Sequence, residues 1–224
     1  MTIEPDTGGT DTVFHGYFRS SAAYRCRIAF NLKGFAPAQR FVHLRKGEQK
    51  SAAYKALSPA GLVPALETPR GVLTQSLAII EWLDETMPDP ALLPADAWTR
   101  AKARAFAQTI ACDIHPVNNL RILGYLKNPL GHDQATVDTW YRHWIAEGLS
   151  AAEALAQDAG GHGSFLFGDA PGLAEICLVP QLYNARRFAC PMEAYPRLLA
   201  VEAACNALPA FADAAPDRQP DAEG

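Results

Sequence analysis

Two serines, an arginine and a cysteine stand close together near the start of the chain. The segment YFRSSAAYRCRIAFNLKG runs from Tyr17 to Gly34. It puts Arg19, Ser20 and Ser21 directly before a run of helix-forming residues, with Cys26 six positions past Ser20. A serine at a helix start accepts a hydrogen bond from an otherwise unpaired N–H, which is sufficient structural reason for one of the pair. A second serine leaves a spare hydroxyl beside exposed N–H groups and the positive end of the helix dipole, where an anion such as a thiolate is favoured. LTQSLAIIEWL repeats the arrangement, with Ser76 read as the N-cap of another helix and Gln75 offering amide donors beside it. Between the two lies LVPALE, whose Val63-Pro64 either opens an edge strand or forms a cis bend that turns the Val63 main chain outward. Two anion sites flanking an extended main-chain edge suit a short peptide carrying a thiolate and a carboxylate. Residue types alone leave plain capping open at each serine.

The elements needed to hold these residues are legible in the pattern around them. TVFHGYF and AQRFVHL read as strands on either side of the helix SAAYRCRIAFNL, which Gly34 stops. KGEQKSAAYKAL is a loop leading into a short helix, LVPALET and GVLTQ are two short strands, and SLAIIEWLDETM is an amphipathic helix. The order β-α-β-α-β-β-α predicts a small mixed sheet with a parallel start and a terminal hairpin. PDPALLPAD, with three prolines in nine residues, reads as a linker.

Beyond it no strand pattern appears. A helical stretch of about thirty residues starts at Asp96. It contains Pro116, whose missing N–H predicts a kink. Further helices are expected over about 134–157, at GLAEICLVPQLYNARRF and at YPRLLAVEAACNAL. The expected organisation is an α/β domain over 12–88, an all-helical domain over 96–212, and flexible ends at 1–11 and 213–224.

Composition narrows the classes. A net charge of −4 with a pI near 5.9 speaks against a nucleic-acid surface, and no apolar run reaches the length of a membrane span. The five cysteines (Cys26, Cys112, Cys177, Cys190 and Cys205) are odd in number and contain no CxxC, a reducing-compartment pattern that predicts a cytoplasmic protein. Cys112 and His115 could share a helix face, but no second pair has zinc spacing, so no metal is expected.

Taken in order, YFRSSAAYRCRIAFNLKG, LVPALE, QSLAIIEWLDE, DIHPVNNLRIL, FGDAPGLAEICLVPQ and ARRF resemble the zeta class of glutathione transferases, in particular its maleylacetoacetate and maleylpyruvate isomerases. The resemblance runs from about Thr12 to Leu208. It implies a thioredoxin-like domain followed by an all-α domain, glutathione as cofactor, a small acidic substrate and a homodimer. By the same resemblance Ser20, with Ser21 beside it, would act on the glutathione sulfur. Val63 would pair with the cysteinyl main chain, Gln75 and Ser76 would hold the γ-glutamyl end, and His43 would lie near the glycyl end. His115, Asn118 and Asn119 would face the cleft. Arg19 and Arg187 would grip substrate carboxylates, with Arg121 a further contributor.

Three departures stand out. Ala22 replaces the cysteine often found after the two serines, Gly172 and Glu175 replace the usual capping box of the late helix, and Leu120 stands where maleylpyruvate-type enzymes often carry another arginine. The implied reaction is glutathione-dependent cis–trans isomerisation of an acidic ene-dione. Its rivals are conjugation or dehalogenation of small α-halo acids, disulfide reduction, and a non-enzymatic binding protein of the same fold. Disulfide reduction is weakened by the absence of a cysteine at the first helix start.

Overall fold

The structure is a computed structural model and describes residues 11–159 and 163–223. Of the expected flexible start, residues 1–10 lie outside the described residues, as do 160–162 after the long helix. The chain divides into two compact units, one containing the residues up to Leu92 and those from Ala207 onward, the other Leu93–Asn206.

In the first unit, β1 (Val13–Gly16), α1 (Ser21–Lys33), β2 (Ala38–Phe41), α2 (Ala52–Leu57), β3 (Ala65–Thr68), β4 (Gly71–Thr74) and α3 (Ser76–Thr86) follow in the order read from the sequence. The strands make one sheet of order β2-β1-β3-β4. β1 and β2 pair in parallel, and β3 runs antiparallel to both β1 and β4. The parallel pair needs a crossover, which α1 supplies, whereas Pro69-Arg70 suffices to turn the β3–β4 hairpin.

Ser20 caps the start of α1, accepting the Ala23 N–H on its hydroxyl at 3.2 Å, and Gly34 ends the helix in the left-handed conformation at φ 63°. Phe14, Ala23, Cys26, Ile28, Ala29, Leu66, Ile79 and Leu83 form the fully buried core of this unit. Lys33, at the last turn of α1, is buried too. Its ammonium group donates to Asp84 Oδ1 (2.6 Å) and to the carbonyls of Met87 and Pro90 (2.6 and 2.5 Å), which satisfies all three of its protons.

Residues 207–223 depart from expectation. The sequence reading put 207–212 in the helical domain and 213–224 in a flexible end, but this segment packs with the first unit. The reason lies on α1, whose other flank the segment covers. Asn31 Nδ2 donates to the Ala210 carbonyl at 2.9 Å and Arg27 Nε to the Ala214 carbonyl at 3.0 Å, while Phe211 is fully buried. A helix with residues buried on every side needs such a cover.

The second unit is helical: α4 (Ala97–Gln108), a π-turn stretch Thr109–Ile114, α5 (His115–Val117), α6 (Leu120–Lys127), α7 (Gln134–Asp158), α8 (Leu173–Arg187) and α9 (Pro196–Asn206). The first unit adds α10 (Pro209–Ala212). The kink expected at Pro116 is wider than one residue. The ladder loosens to π spacing before the proline and breaks after it at Asn118-Asn119. Gly148 on α7 explains the closeness there, because a Cβ at that position would meet Ile114 Cγ1 at 2.1 Å. Two buried glutamates organise helix starts. Glu153 accepts the Arg197 and Leu198 N–H groups at the start of α9, both at 3.0 Å. Glu175 accepts the Gly172 and Leu166 N–H groups at 2.8 and 2.7 Å, which keeps the half of a capping box that reaches back from the helix to the cap residue, the half that a glycine cap does not remove. Burial raises the Glu175 pKa against those hydrogen bonds.

Candidate active site

Ser20 is half-buried whereas Ser21 is buried in the first turn of α1, so Ser20 presents the accessible hydroxyl of the pair. A serine hydroxyl has one proton and two lone pairs. With the Ala23 N–H taken on oxygen, the Ser20 proton remains to be donated to an anion at the helix start. The Tyr17–Ser20 turn, closed by the Ser20 N–H on the Tyr17 carbonyl (3.0 Å), is fixed from below. Arg27 Nη2 donates to the Phe18 carbonyl at 3.0 Å, and Asp221 Oδ2 accepts the Phe18 N–H at 2.9 Å. Burial draws the Arg27 pKa down to about 10, opposed chiefly by the charge of Asp221, so the guanidinium stays protonated at neutral pH. Arg19, next to Ser20, is half-buried. It lies over the Phe18 ring at 5.0 Å with Nη2 3.4 Å from the Tyr17 hydroxyl.

The second helix start differs by one residue from the sequence reading. Ser76 is the first residue of α3 rather than its cap; Gln75 takes the cap position, at φ 72° and ψ 119°. A non-glycine residue there is strained, and such strain gathers at functional sites. Behind Ser76 stands Arg25, a wholly buried side chain of α1 that donates from Nη1 to Ser76 Oγ at 3.3 Å. Its Nε and Nη2 have no hydrogen-bond partner among the described residues. α1 therefore contributes to both helix starts, with Ser20 capping its own and Arg25 backing that of α3. Cys26, the cysteine of the opening segment, is fully buried, 3.9 Å from the Ser76 carbonyl, and all five cysteines are free thiols.

The Val63-Pro64 peptide is cis, which decides between the two readings of LVPALE. His43 caps a 3-10 turn, its Nδ1 accepting the Lys46 N–H at 3.2 Å, and its Nε2 meets Glu223.

The remaining residues singled out lie in the second unit. His115 is half-buried on α5, and Asn119 caps α6 through its side-chain oxygen, which accepts the Arg121 N–H at 3.1 Å. Asn118, expected to face the cleft with His115 and Asn119, is 8% exposed, with its amide 3.5 Å from the Tyr141 carbonyl and its oxygen without a hydrogen-bond partner among the described residues. Arg121 is exposed, as is Leu120 before it. On α8 the two adjacent arginines separate cleanly. Arg186 is engaged by both oxygens of the buried Glu202 carboxylate, whereas Arg187 donates to the neutral Asn184 side chain at 3.1 Å, with no carboxylate partner among the described residues, and lies 5.6 Å from the Phe188 ring. Phe188 itself stacks on Tyr141 at 3.4 Å.

Sequence reasoning missed Arg25, Arg27, Arg45, Asp221 and Glu223. The signal for the first two was present, since charged residues twice within an apolar helix call for internal partners. For the acidic pair near the end there was none.

A βαβ–ββα sheet with a cis-proline strand between two polar helix starts, followed by an all-helical unit, is the layout of a glutathione transferase. Residues 19–86 match the family model of the glutathione S-transferase N-terminal domain, and residues 138–204 that of the C-terminal domain. The chain is 50% identical to a maleylpyruvate isomerase of a Ralstonia species over 207 residues, which cover 92% of this chain and 98% of that one. It superposes with a TM-score of 0.92 on the holo structure of a maleylpyruvate isomerase described as a bacterial zeta-class glutathione S-transferase, at 49% identity and covering 94% of this chain and all of that one. A glutathione-bound maleylacetoacetate isomerase from Anaeromyxobacter dehalogenans follows at 45% identity, with a TM-score of 0.85 and coverage of 95% of this chain and 98% of that one. The chain belongs to the zeta class of the glutathione S-transferase family, among its maleylpyruvate and maleylacetoacetate isomerases.

Proposed function

We propose that the protein isomerises an acidic cis-ene-dione, of the maleylpyruvate or maleylacetoacetate kind, to its trans isomer with glutathione as catalytic thiol. The observation that carries the reading is the Ser20 cap: its oxygen is occupied by Ala23 and its proton is left to donate, at a helix N-terminus with Arg19 adjoining. That hydroxyl and the helix start stabilise the glutathione thiolate. The thiolate adds to one alkene carbon and the electron pair moves onto the conjugated carbonyl as an enolate. The former double bond is now single and rotates. Collapse of the enolate restores the alkene in the trans geometry and expels the thiolate unchanged, so glutathione is not consumed.

In this reading Val63 pairs with the cysteinyl main chain, Gln75 and Ser76 hold the γ-glutamyl carboxylate with Arg25 behind them, and His43 lies at the glycyl end. His115 and Asn119 complete the glutathione surroundings, and Ser21 supports Ser20 from within the helix. Arg19 and Arg187 take the substrate carboxylates, with Arg121 a third, outlying cation. Arg186 has no part in it, being committed to Glu202. The protein is a homodimer and acts in the cytoplasm, where its five free thiols stay reduced. The relatives' names favour isomerisation over dehalogenation.

The test is turnover of maleylpyruvate, maleylacetoacetate and dichloroacetate by the purified protein, with and without glutathione. Isomerisation of one maleyl acid, abolished when glutathione is withheld, is the expected result. Isomerisation that survives without a thiol would sink the mechanism.

A further inference from the structure

The last described residues belong to the first unit and return to the turn before α1 and to His43. Gln219 Nε2 donates to the carbonyls of Asp213 and Ala215, both at 2.9 Å, which fixes the path of the chain as it leaves the Pro216–Arg218 turn. Asp221 is then anchored on the Phe18 N–H. Two residues further on, Glu223 places one carboxylate oxygen on His43 Nε2 and the other on Arg45 Nη1, the latter at 3.1 Å.

His43 is well prepared for this role. Its Nδ1 is used as an acceptor by the Lys46 N–H and its ring lies 5.4 Å from that of Tyr17, so Nε2 is the nitrogen left to donate and its direction is set. The bond from His43, with the charges of Arg45 and Arg19, holds the Glu223 carboxyl below the usual glutamate range. Two donors aimed at the two oxygens of one carboxylate, with the Arg19 cation acting on it as well, form a carboxylate site, and here the chain itself fills it.

We infer that His43 and Arg45 together bind the glycyl carboxylate of glutathione and that Glu223 is an internal competitor for the same place. The inference rests on the glutathione reading above and adds to it Arg45 as a second residue of the subsite and a built-in brake on cofactor binding. The brake is weak by construction. The Arg45 and Glu223 side chains are 64% and 41% exposed, and an ion pair that open to water changes an equilibrium only by about two- to fivefold. Glutathione at cellular concentration therefore displaces Glu223, while Asp221 keeps the segment at hand.

The experiment measures KM for glutathione and for γ-glutamylcysteine, which carries the same thiol but no glycine, in the wild type, Glu223→Gln, Arg45→Gln and the double variant. Glu223→Gln should lower KM for glutathione about two- to fivefold and leave that for γ-glutamylcysteine unchanged. Arg45→Gln should raise KM for glutathione, and adding Glu223→Gln should then bring a smaller gain than in the wild type. An unchanged glutathione KM in Glu223→Gln overturns the inference, and so does an equal fall for both thiols. Either result leaves the thiol-dependent mechanism standing. Turnover without any thiol would instead remove the reading beneath it.

Discussion

The two units of this chain supply different kinds of atom to the proposed chemistry. In the first, the decisive groups are helix starts, a cis-proline bend and a capped turn: main-chain donors and short side chains held by the fold itself. In the second, the candidates are long, exposed side chains such as Arg187 on α8 and Arg121 on α6. Main-chain sites are preorganised and lose little entropy when a ligand binds, which suits a cofactor common to every turnover. Arginine side chains give bidentate, exchangeable recognition of carboxylates, which suits a substrate that differs between relatives. The difference teaches where change is tolerated. On the proposed reading, substitutions at the helix starts of the first unit should strike the chemistry or the fold, and substitutions at the exposed arginines Arg187 and Arg121 should strike specificity.

The largest test of that division is Ser20→Ala. Losing one donor aimed at developing negative charge typically costs about 10²–10³ in rate, and turnover should fall by that order. Glutathione KM should move little, because Val63, Gln75, Ser76 and His43 remain. Loss of the cap also costs about 1 kcal/mol of stability, which a melting curve would show separately. A variant with normal turnover but poor glutathione binding would reverse the assignment of Ser20.

Next in size is the pair of arginines at the end of α8. A hydrogen-bonded charge pair is worth about 1.5–3 kcal/mol, so Arg187→Ala should lower kcat/KM for the acid by about 10- to 100-fold with the melting temperature near wild type. Arg186→Ala should do the opposite. It leaves the buried Glu202 carboxylate without its cation, lowering stability while sparing the KM for the acid. If both variants behaved alike, the split between structural and recognition arginines would be lost.

Much of this molecule was legible before any coordinates, and what was legible was local. The serine cap before α1, the stop at Gly34, the order of strands and helices along the first unit, and the parallel start and terminal hairpin of the sheet all follow from short-range pattern, and each is in place. What escaped was set by partners far away in sequence. Residues 213–223 look too short and polar to bury a surface of their own, yet they are held through bonds such as Asp221 to Phe18, 203 positions away. The π stretch before Pro116 seats Ile114 where any Cβ on Gly148 of another helix would clash with it. Arg25 is wholly buried; its place in an apolar helix signals an internal partner, but that the partner is Ser76, 51 positions away, is visible only in the fold. The one-residue shift at the start of α3 has a different cause. Placing Gln75 at positive φ runs against its intrinsic preference, so propensity chose Ser76 instead.

That shift supplies the smallest and most discriminating prediction. If the Gln75 conformation is held for function, Gln75→Gly should stabilise the fold while weakening the cofactor site. Strain at such a residue costs about 1–3 kcal/mol, and the extra freedom that glycine brings to the unfolded chain offsets about 0.5–1 kcal/mol of the relief. The net gain should be of order 1 kcal/mol, seen as a higher midpoint in urea with an unchanged slope. Glutathione KM should rise severalfold, since the side-chain amide beside Ser76 is gone, while turnover at saturation stays near wild type because Ser20 is untouched. A Gln75→Gly protein that is less stable would mean that the side chain holds the turn by contacts of its own, and the main-chain account of the first unit would have to yield at that position.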